Sequence, residues 1–321
     1  MASGKGAILK ALIANMGIAA AKLGGASVTG SAAMFSEGVH SLVDSGNQGL
    51  LLLGMSRSEK APDEHHPLGY GKETYFWSFL VAMLIFGLGA TVSFYEGVEK
   101  VLHPHAMESA NFALLGLSIS FRDLVLGILV LSILLEGWSL IAAWNVFKVQ
   151  RAGRGVFQAL RDTRDPTVLV VLFEDSAAVL GLVIAFIGVF LAYSLDMPVL
   201  DGVASICIGV ILAVVSVFLA IKCKALLIGE AADPATRAGM AAIVADLPGV
   251  VAVNEIITLF MGADDMLVLV SVDYRESMDS GQIEAVSTEA EKRLRRAFPL
   301  VFRVFVEAQG SRSHKRLLEH P

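Results

Sequence analysis

Ser36-Glu37-Gly38-Val39-His40-Ser41-Leu42-Val43-Asp44-Ser45-Gly46-Asn47-Gln48 lies in the middle of an apolar segment, residues 31–55, long enough to cross a bilayer. On a helix His40 and Asp44, four residues apart, sit one above the other on the same face. A charged group at that depth costs at least ~2.5 kcal/mol, so an ionisable pair there marks a functional site by default. One imidazole and one carboxylate converging on a point is also how a protein begins a transition-metal site. The partners that complete it must come from other segments.

The composition fits a membrane setting. Of 321 residues, 55% are hydrophobic and 17% charged, against roughly 25% charged in soluble domains, and the mean hydropathy is +0.65. This is an integral membrane protein by composition, with the lipid bilayer as its surroundings. The net charge of −6 gives no reason to expect a nucleic-acid partner. Cys207 and Cys223 fall on or near one apolar helix, about 24 Å apart at the helical rise, too far for an internal disulfide. They read as packing residues. The opening Met-Ala-Ser-Gly-Lys-Gly leaves too little chain before the first apolar run to read as a cleaved signal.

Six apolar stretches of spanning length can be marked, at about 7–24, 31–55, 75–100, 123–147, 166–192 and 198–221. Their connections differ in charge. Residues 25–30 and 193–197 contain no Lys or Arg, and 101–122 only Arg122. By contrast, 56–74 has Arg57, Lys60 and Lys72, and 148–165 has Lys148, Arg151, Arg154, Arg161 and Arg164, while Lys222 and Lys224 follow the sixth stretch. The positive-inside rule then puts both termini in the cytoplasm, with a bacterial inner membrane as the expected location. Residues 103–121 are expected to form a non-cytoplasmic loop with an interfacial piece, where His103 and His105 read as a surface pair. Asn15, Lys22, Glu96 and Glu136 lie within or near other spans. Glu96 and Lys22 are near enough to span ends to snorkel, whereas Glu136 is deeper and could serve a proton path.

The expected domains are a transmembrane domain over 1–222, a linker over 223–232, a soluble domain over 233–309 and a polar, disordered tail over 310–321. In the soluble part, Asp233-Pro234 opens a helix closed by Pro248-Gly249. Val250–Leu259 and Met266–Tyr274 read as strands, Gln282–Ala297 as an amphipathic helix and Val301–Val306 as a last strand. The order αββαβ predicts a small α+β domain of ferredoxin-like type.

The fifth span carries Leu172-Phe173-Glu174-Asp175-Ser176. Two adjacent acids within an apolar helix have no solvated face to occupy. Asp44 is eleven residues from the cytoplasmic end of its span, roughly 16 Å, and Asp175 nine residues from its own, roughly 14 Å. The two pairs therefore share a level near the midplane. Neighbouring helical residues diverge by ~100°, so only one acid, taken here as Asp175, faces His40 and Asp44. Glu174 then supplies a fourth ligand, supports the others or relays protons. Asn47 and Ser36 share the His40/Asp44 face and could line the pathway. The plainer alternative, a buried salt bridge with a protonated His40, sets three acids against one histidine, which is poor pairing.

With these motifs the chain resembles the cation diffusion facilitator family of divalent-metal/proton antiporters, along nearly its whole length. His40-x-x-x-Asp44 matches the signature of that family's second span. Asp63-Glu64-His65-His66-Pro67-Leu68-Gly69-Tyr70-Gly71-Lys72 resembles its loop into the third span, Asp201-Gly-Val-Ala-Ser205 the opening of its sixth, and Leu226-Leu227-Ile228-Gly229-Glu230 its link to the soluble domain. The family has His or Asp four residues before the acid matched by Asp175. Val171 stands there, with Glu174 adjacent instead, as in the zinc-transporter-nine-like branch. The resemblance implies metal ligands His40, Asp44 and Asp175, with Glu174 or water as the fourth. It also implies a possible second, cytoplasmic-loop metal site at Asp63, His65 and His66, although Tyr70 stands where some members have His. Lys72 resembles a basic residue that pairs with an acid below the sixth span, with Glu230 as the partner here. Residues 233–309 contain no histidine, so a His-built sensor site is not expected and the soluble domain reads as a homodimerisation module.

The resulting expectation is a secondary transporter and not an enzyme. It exports Zn2+ in exchange for protons by alternating access, with no cofactor beyond the transported metal. One nitrogen among carboxylates also admits Mn2+, Co2+ or Fe2+. An intramembrane metalloenzyme would call for a motif such as His-Glu-x-x-His, which no span contains. A non-transporting scaffold would leave the midplane acids unexplained.

Overall fold

The structure, a computed structural model, describes residues 2–104, 111–114, 117–151, 153 and 155–319. All six expected apolar stretches are helical: α1 (Ala2–Thr29), α2 (Ala32–Ser58), α3 (Glu73–Leu84) continued through a π-helical segment into α4 (Thr91–Leu102), α5 (Phe121–Arg151), α7 (Pro166–Leu195) and α8 (Val199–Ile228). The last four of these runs, Glu73–Leu102, Arg122–Val149, Pro166–Leu195 and Val199–Ile228, are long and apolar enough to cross a membrane by length and composition. The chain is a multi-pass membrane protein. Long as it is, α2 is less apolar for a physical reason. Its inner face buries Ser36, Glu37, His40, Ser41, Asp44, Ser45 and Asn47. Lipid-facing positions such as Leu131, Trp138 and Val149 are apolar and open instead.

Local sequence sets the helix ends. Asp165 accepts from the N–H of Thr167 with Pro166 in the first turn of α7, satisfying donors that no helical carbonyl can reach. The third run changes pitch at Ile85–Ala90, a π-helical segment of the kind that widens one turn of a helix. Between α4 and α5 the expected loop contains a hairpin of β1 (Asn111–Leu114) and β2 (Leu117–Ser120). His103 is exposed at the end of α4, while His105 lies outside the described residues. A short α6 (Val156–Asp162) precedes α7.

The chain divides into two units, Met1–Ser56 with Phe76–Lys224, and Arg57–Tyr75 with Ala225–Pro321. In the second unit, α9 (Pro234–Ala245), β3 (Val250–Phe260), β4 (Met266–Tyr274), α10 (Ser280–Ala297) and β5 (Val301–Ala308) follow the αββαβ order. The sheet order is β3-β4-β5, antiparallel then parallel. Met240 and Val244 of α9 and Ala290 and Leu294 of α10 bury against Val268, Val270 and Val272. A capping box of Asp279 and Gln282 starts α10.

Three boundaries differ from expectation. The loop 57–75 belongs to the C-terminal unit: Tyr75 is wholly buried in its core, and Gly71 lies so close to Met261 that a Cβ would meet its carbonyl at 2.3 Å. Residues 223–228 are helix rather than linker, because Ala225-Leu226-Leu227-Ile228 sustains α8 until Gly229, at φ +125, takes a conformation open to glycine. The tail is ordered as α11 (Ser311–Glu319). Ser311 donates to Asp273 and Asn254, and His314 Nδ1 meets Gln309 Oε1 at 2.7 Å, so side-chain hydrogen bonds hold a segment with few apolar residues.

Candidate functional site

The site is built where α2 faces α7. Ser31 starts α2 by accepting the N–H of Met34, and from there the helical period turns His40, Asp44 and Asn47 inward. His40 is 1% exposed, and neither of its ring nitrogens has a hydrogen-bond partner. Its Nδ1 lies 3.4 Å from Asp44 Oδ1, close but out of alignment for a hydrogen bond. A buried imidazole with both nitrogens free is a donor set awaiting an acceptor of electrons.

From α7 the residue that reaches this pair is Glu174, not Asp175. Asn47 Nδ2 donates to Glu174 Oε1 at 2.8 Å, and the carboxyls of Asp44 and Glu174 lie next to each other. Asp175 turns toward α5 and accepts from Ser139 Oγ at 2.8 Å. Depth along a helix fixes the level of a residue but not its direction, and the ~100° step between neighbours gives the facing position to the earlier acid. Two carboxyls in contact in an apolar interior need positive charge between them, either a shared proton or a cation. Among the described residues no three His, Cys, Asp or Glu side chains form a ready-made metal cage. Coordination here therefore requires at least one side chain to change rotamer.

Around this centre lies a second buried polar group that sequence reasoning did not assemble. Lys22 of α1 is wholly buried, so it does not snorkel. Its Nζ donates to Ser41 Oγ at 2.7 Å and lies 3.5 Å from Glu37 Oε2. Glu37 packs against α7 at Gly181, where a Cβ would fall 2.3 Å from Oε1. The available signal was the stripe Glu37, Ser41, Asp44 on α2, at spacings of four and three. Glu136 is buried on α5. Ser36 hydrogen-bonds to Ser205 of α8, away from the carboxyl pair.

The other expected site residues lie in the C-terminal unit. Asp63 accepts from the backbone N–H groups of His65 and His66 and from the Tyr70 hydroxyl. Tyr70 holds the Asp63 carboxyl below the usual carboxylate range. The His66 and Tyr70 ring centroids lie 4.2 Å apart with the planes tilted by 33°. These contacts make Asp63 the organiser of a turn. Lys72 Nζ donates to the carbonyl of Leu227 at 3.4 Å, one turn before Glu230, where the end of α8 favours a cation.

Comparison with known proteins adds to this geometry. The cation efflux transmembrane domain, as a family, matches residues 8–228. The chain is 35% identical over 248 residues to the mouse mitochondrial proton-coupled zinc antiporter SLC30A9, covering 77% of this chain and 42% of that protein. It is 35% identical over 234 residues to metal tolerance protein C4 of Arabidopsis thaliana, 71% of this chain and 48% of that one. The magnetosome protein MamB of Magnetospira is 23% identical over 192 residues, 60% and 56% of the two chains. The chain thus spans under half the length of the first two relatives.

Proposed function

The chain belongs to the cation efflux family, and on that premise we propose that it is a secondary transporter exporting Zn2+ from the cytoplasm in exchange for protons. The observation that carries this reading is the meeting of Asp44 and Glu174, beside the unpartnered His40 nitrogens, between two helices of the matched domain. A carboxyl pair that must hold a proton or a cation binds one in place of the other, because metal ligation needs ionised carboxylates and a neutral imidazole. Loading with metal expels protons, and protons arriving from the other side expel metal. The two flows are coupled without a separate switch, and alternating access exposes the site to one face at a time.

His40, Asp44 and Glu174 are the proposed core ligands. Asp175 joins as the fourth by swinging from Ser139. One imidazole among carboxylates suits Zn2+, with Mn2+, Co2+ and Fe2+ the chemically admissible alternatives. Both termini are proposed to face the cytoplasm, in a bacterial inner membrane, on the charge pattern of the connections. Homodimerisation is proposed through the C-terminal unit. The sheet face carrying Ile257 and Phe305, both about half exposed, supports it with a cavity of 310 Å3 rimmed by Glu255 and Glu307. The test of function is uptake of Zn2+ into vesicles holding purified protein and a zinc-sensitive dye, under an imposed pH gradient. Uptake that follows the gradient and is lost in Asp44→Ala supports the reading. No metal movement, or normal movement in Asp44→Ala, overturns it.

A further inference from the structure

Where α1 turns into α2, helices from opposite parts of the membrane unit close on one another through buried charge. α1 ends at Thr29, Gly30 takes φ +67 and α2 begins at Ala32. The carbonyl of Gly30 accepts from Lys100 Nζ at 2.7 Å. Asp201 accepts from the N–H groups of Ala32 and Ala33 at 2.6 and 3.3 Å and from Ser31 Oγ at 2.7 Å. Asp201 is 0% and Lys100 5% exposed. The signs are matched to the helices: an anion caps the positive N-terminus of α2 and a cation meets the negative C-terminal end of α1.

The two charges come from a pair of helices that are themselves locked. Lys100 is on α4 and Asp201 in the first turn of α8. A Cβ on Gly97 of α4 would lie 2.6 Å from the backbone N of Ile206, and one on Gly202 would lie 2.9 Å from the carbonyl of Gly97. Backbones this close leave no room to slide. One turn further in, Ser205 donates to the carbonyl of Ser93 at 2.7 Å, which leaves Ser36 as the donor in the Ser36–Ser205 contact. The α1–α2 hairpin is thus fastened to the α4–α8 pair by polar contacts at this end, and α2 is the helix that carries His40 and Asp44.

We propose that Asp201 and Lys100 form a clasp that closes the α1–α2 end of the bundle, positions α2, and must release for the metal site to open to the non-cytoplasmic side. The proposal rests on the antiport reading above. A dry clasp of this kind has two arrangements and little between them. If one charge leaves, the other stays buried without the opposite charge beside it, and both hold the same short turn at residues 30–33, so loosening one contact loosens the other.

The test uses full-length protein in vesicles, with Cys207→Ser and Cys223→Ser removing the native thiols. Ala33→Cys reports access to the clasp through its rate of reaction with a membrane-impermeant maleimide, added from each side. Asp201→Asn and Lys100→Met should each raise that rate at least tenfold from the side of the α1–α2 turn. Both should keep a Zn2+ Kd, read by dye competition, within threefold of the parent. An unchanged labelling rate in folded variants overturns the proposal, as does a Zn2+ affinity that falls in step with labelling. If those variants fail to fold, Ser36→Cys with Ser205→Cys decides. Oxidative cross-linking should stop Zn2+ turnover and reduction should restore it, whereas continued turnover by cross-linked protein refutes the clasp. If the uncross-linked protein moves no divalent metal, the antiport reading has failed, and labelling of Ala33→Cys still tests the clasp independently.

Discussion

Replacing Lys22 with Met removes the cation paired with Glu37 while keeping a similar shape in the bundle. Lys22 Nζ and Glu37 Oε2 are 3.5 Å apart, both side chains are wholly buried, and the lysine also donates to Ser41 at 2.7 Å. Opposite charges at that separation attract by roughly 5 kcal/mol at an effective dielectric near 20. Desolvation offsets much of this when the pair forms, but removing one partner leaves the other stranded, at about 3–5 kcal/mol. Among the described residues no other cation pairs with Glu37, whose Oε1 has no hydrogen-bond partner even with Lys22 present. Lys22→Met and Glu37→Gln should therefore each destabilise the membrane unit, with Lys22→Met the more damaging, and the double variant should recover most of the loss. Unfolding of the three variants and the parent in one detergent gives the coupling energy, expected to exceed ~2 kcal/mol. Additive single effects, or a Lys22→Met protein within ~0.5 kcal/mol of the parent, would refute the buried ion pair.

Further outcomes follow from other contacts. Glu174→Gln should weaken Zn2+ binding at least tenfold, measured by dye competition, while Val171→Ala leaves it unchanged. Unchanged Zn2+ binding in Glu174→Gln would remove Glu174 from the ligand set. Gly71→Ala drives a Cβ against the Met261 carbonyl and should destabilise the C-terminal unit by roughly 1–3 kcal/mol, seen as faster proteolysis of residues 57–75. The N–H and hydroxyl of Ser311 hold the Asp273 carboxyl below its ordinary range. The stabilisation is therefore complete above the unfolded carboxylate pKa, near 3.9, and is lost as pH falls through the lower folded value. Amide exchange in α11, corrected for intrinsic rate, should rise on acidification below pH 4 and lose that pH dependence in Asp273→Asn, while Ser311→Ala, which keeps the N–H bond to Asp273, should only weaken it.

The elements were legible because each carries its own local signal. Apolar runs marked the spans, Asp233-Pro234 opened α9, amphipathic spacing marked α10 from Gln282, and composition marked the strands. Pairing across the fold was less legible. Equal depth placed the acids of α7 level with Asp44 but could not say that Glu174 faces inward and Asp175 faces Ser139. Distance from a span end suggested that Lys22 reaches the surface, whereas its direction, toward Glu37, depends on which face of α1 packs on α2. Asp201 reads as a helix-opening acid in its own segment, yet it caps α2, some 170 residues away in sequence. The loop 57–75 looked like a free connection because its core residue, Tyr75, counts as the start of a span until its neighbours are known. In each case the missing information is azimuth or long-range partner choice, which a single sequence does not encode locally.

The central claim, that one buried carboxyl pair exchanges protons for metal, is tested most directly by counting both ions together. In vesicles containing purified protein, a zinc-sensitive dye and a pH dye inside should report opposite movements when Zn2+ is added without any imposed gradient. Zn2+ entry with matched proton exit, both abolished in Glu174→Gln and in Asp44→Asn, is the predicted result. Zn2+ entry with no change in internal pH, or proton movement that persists in both variants, would contradict it.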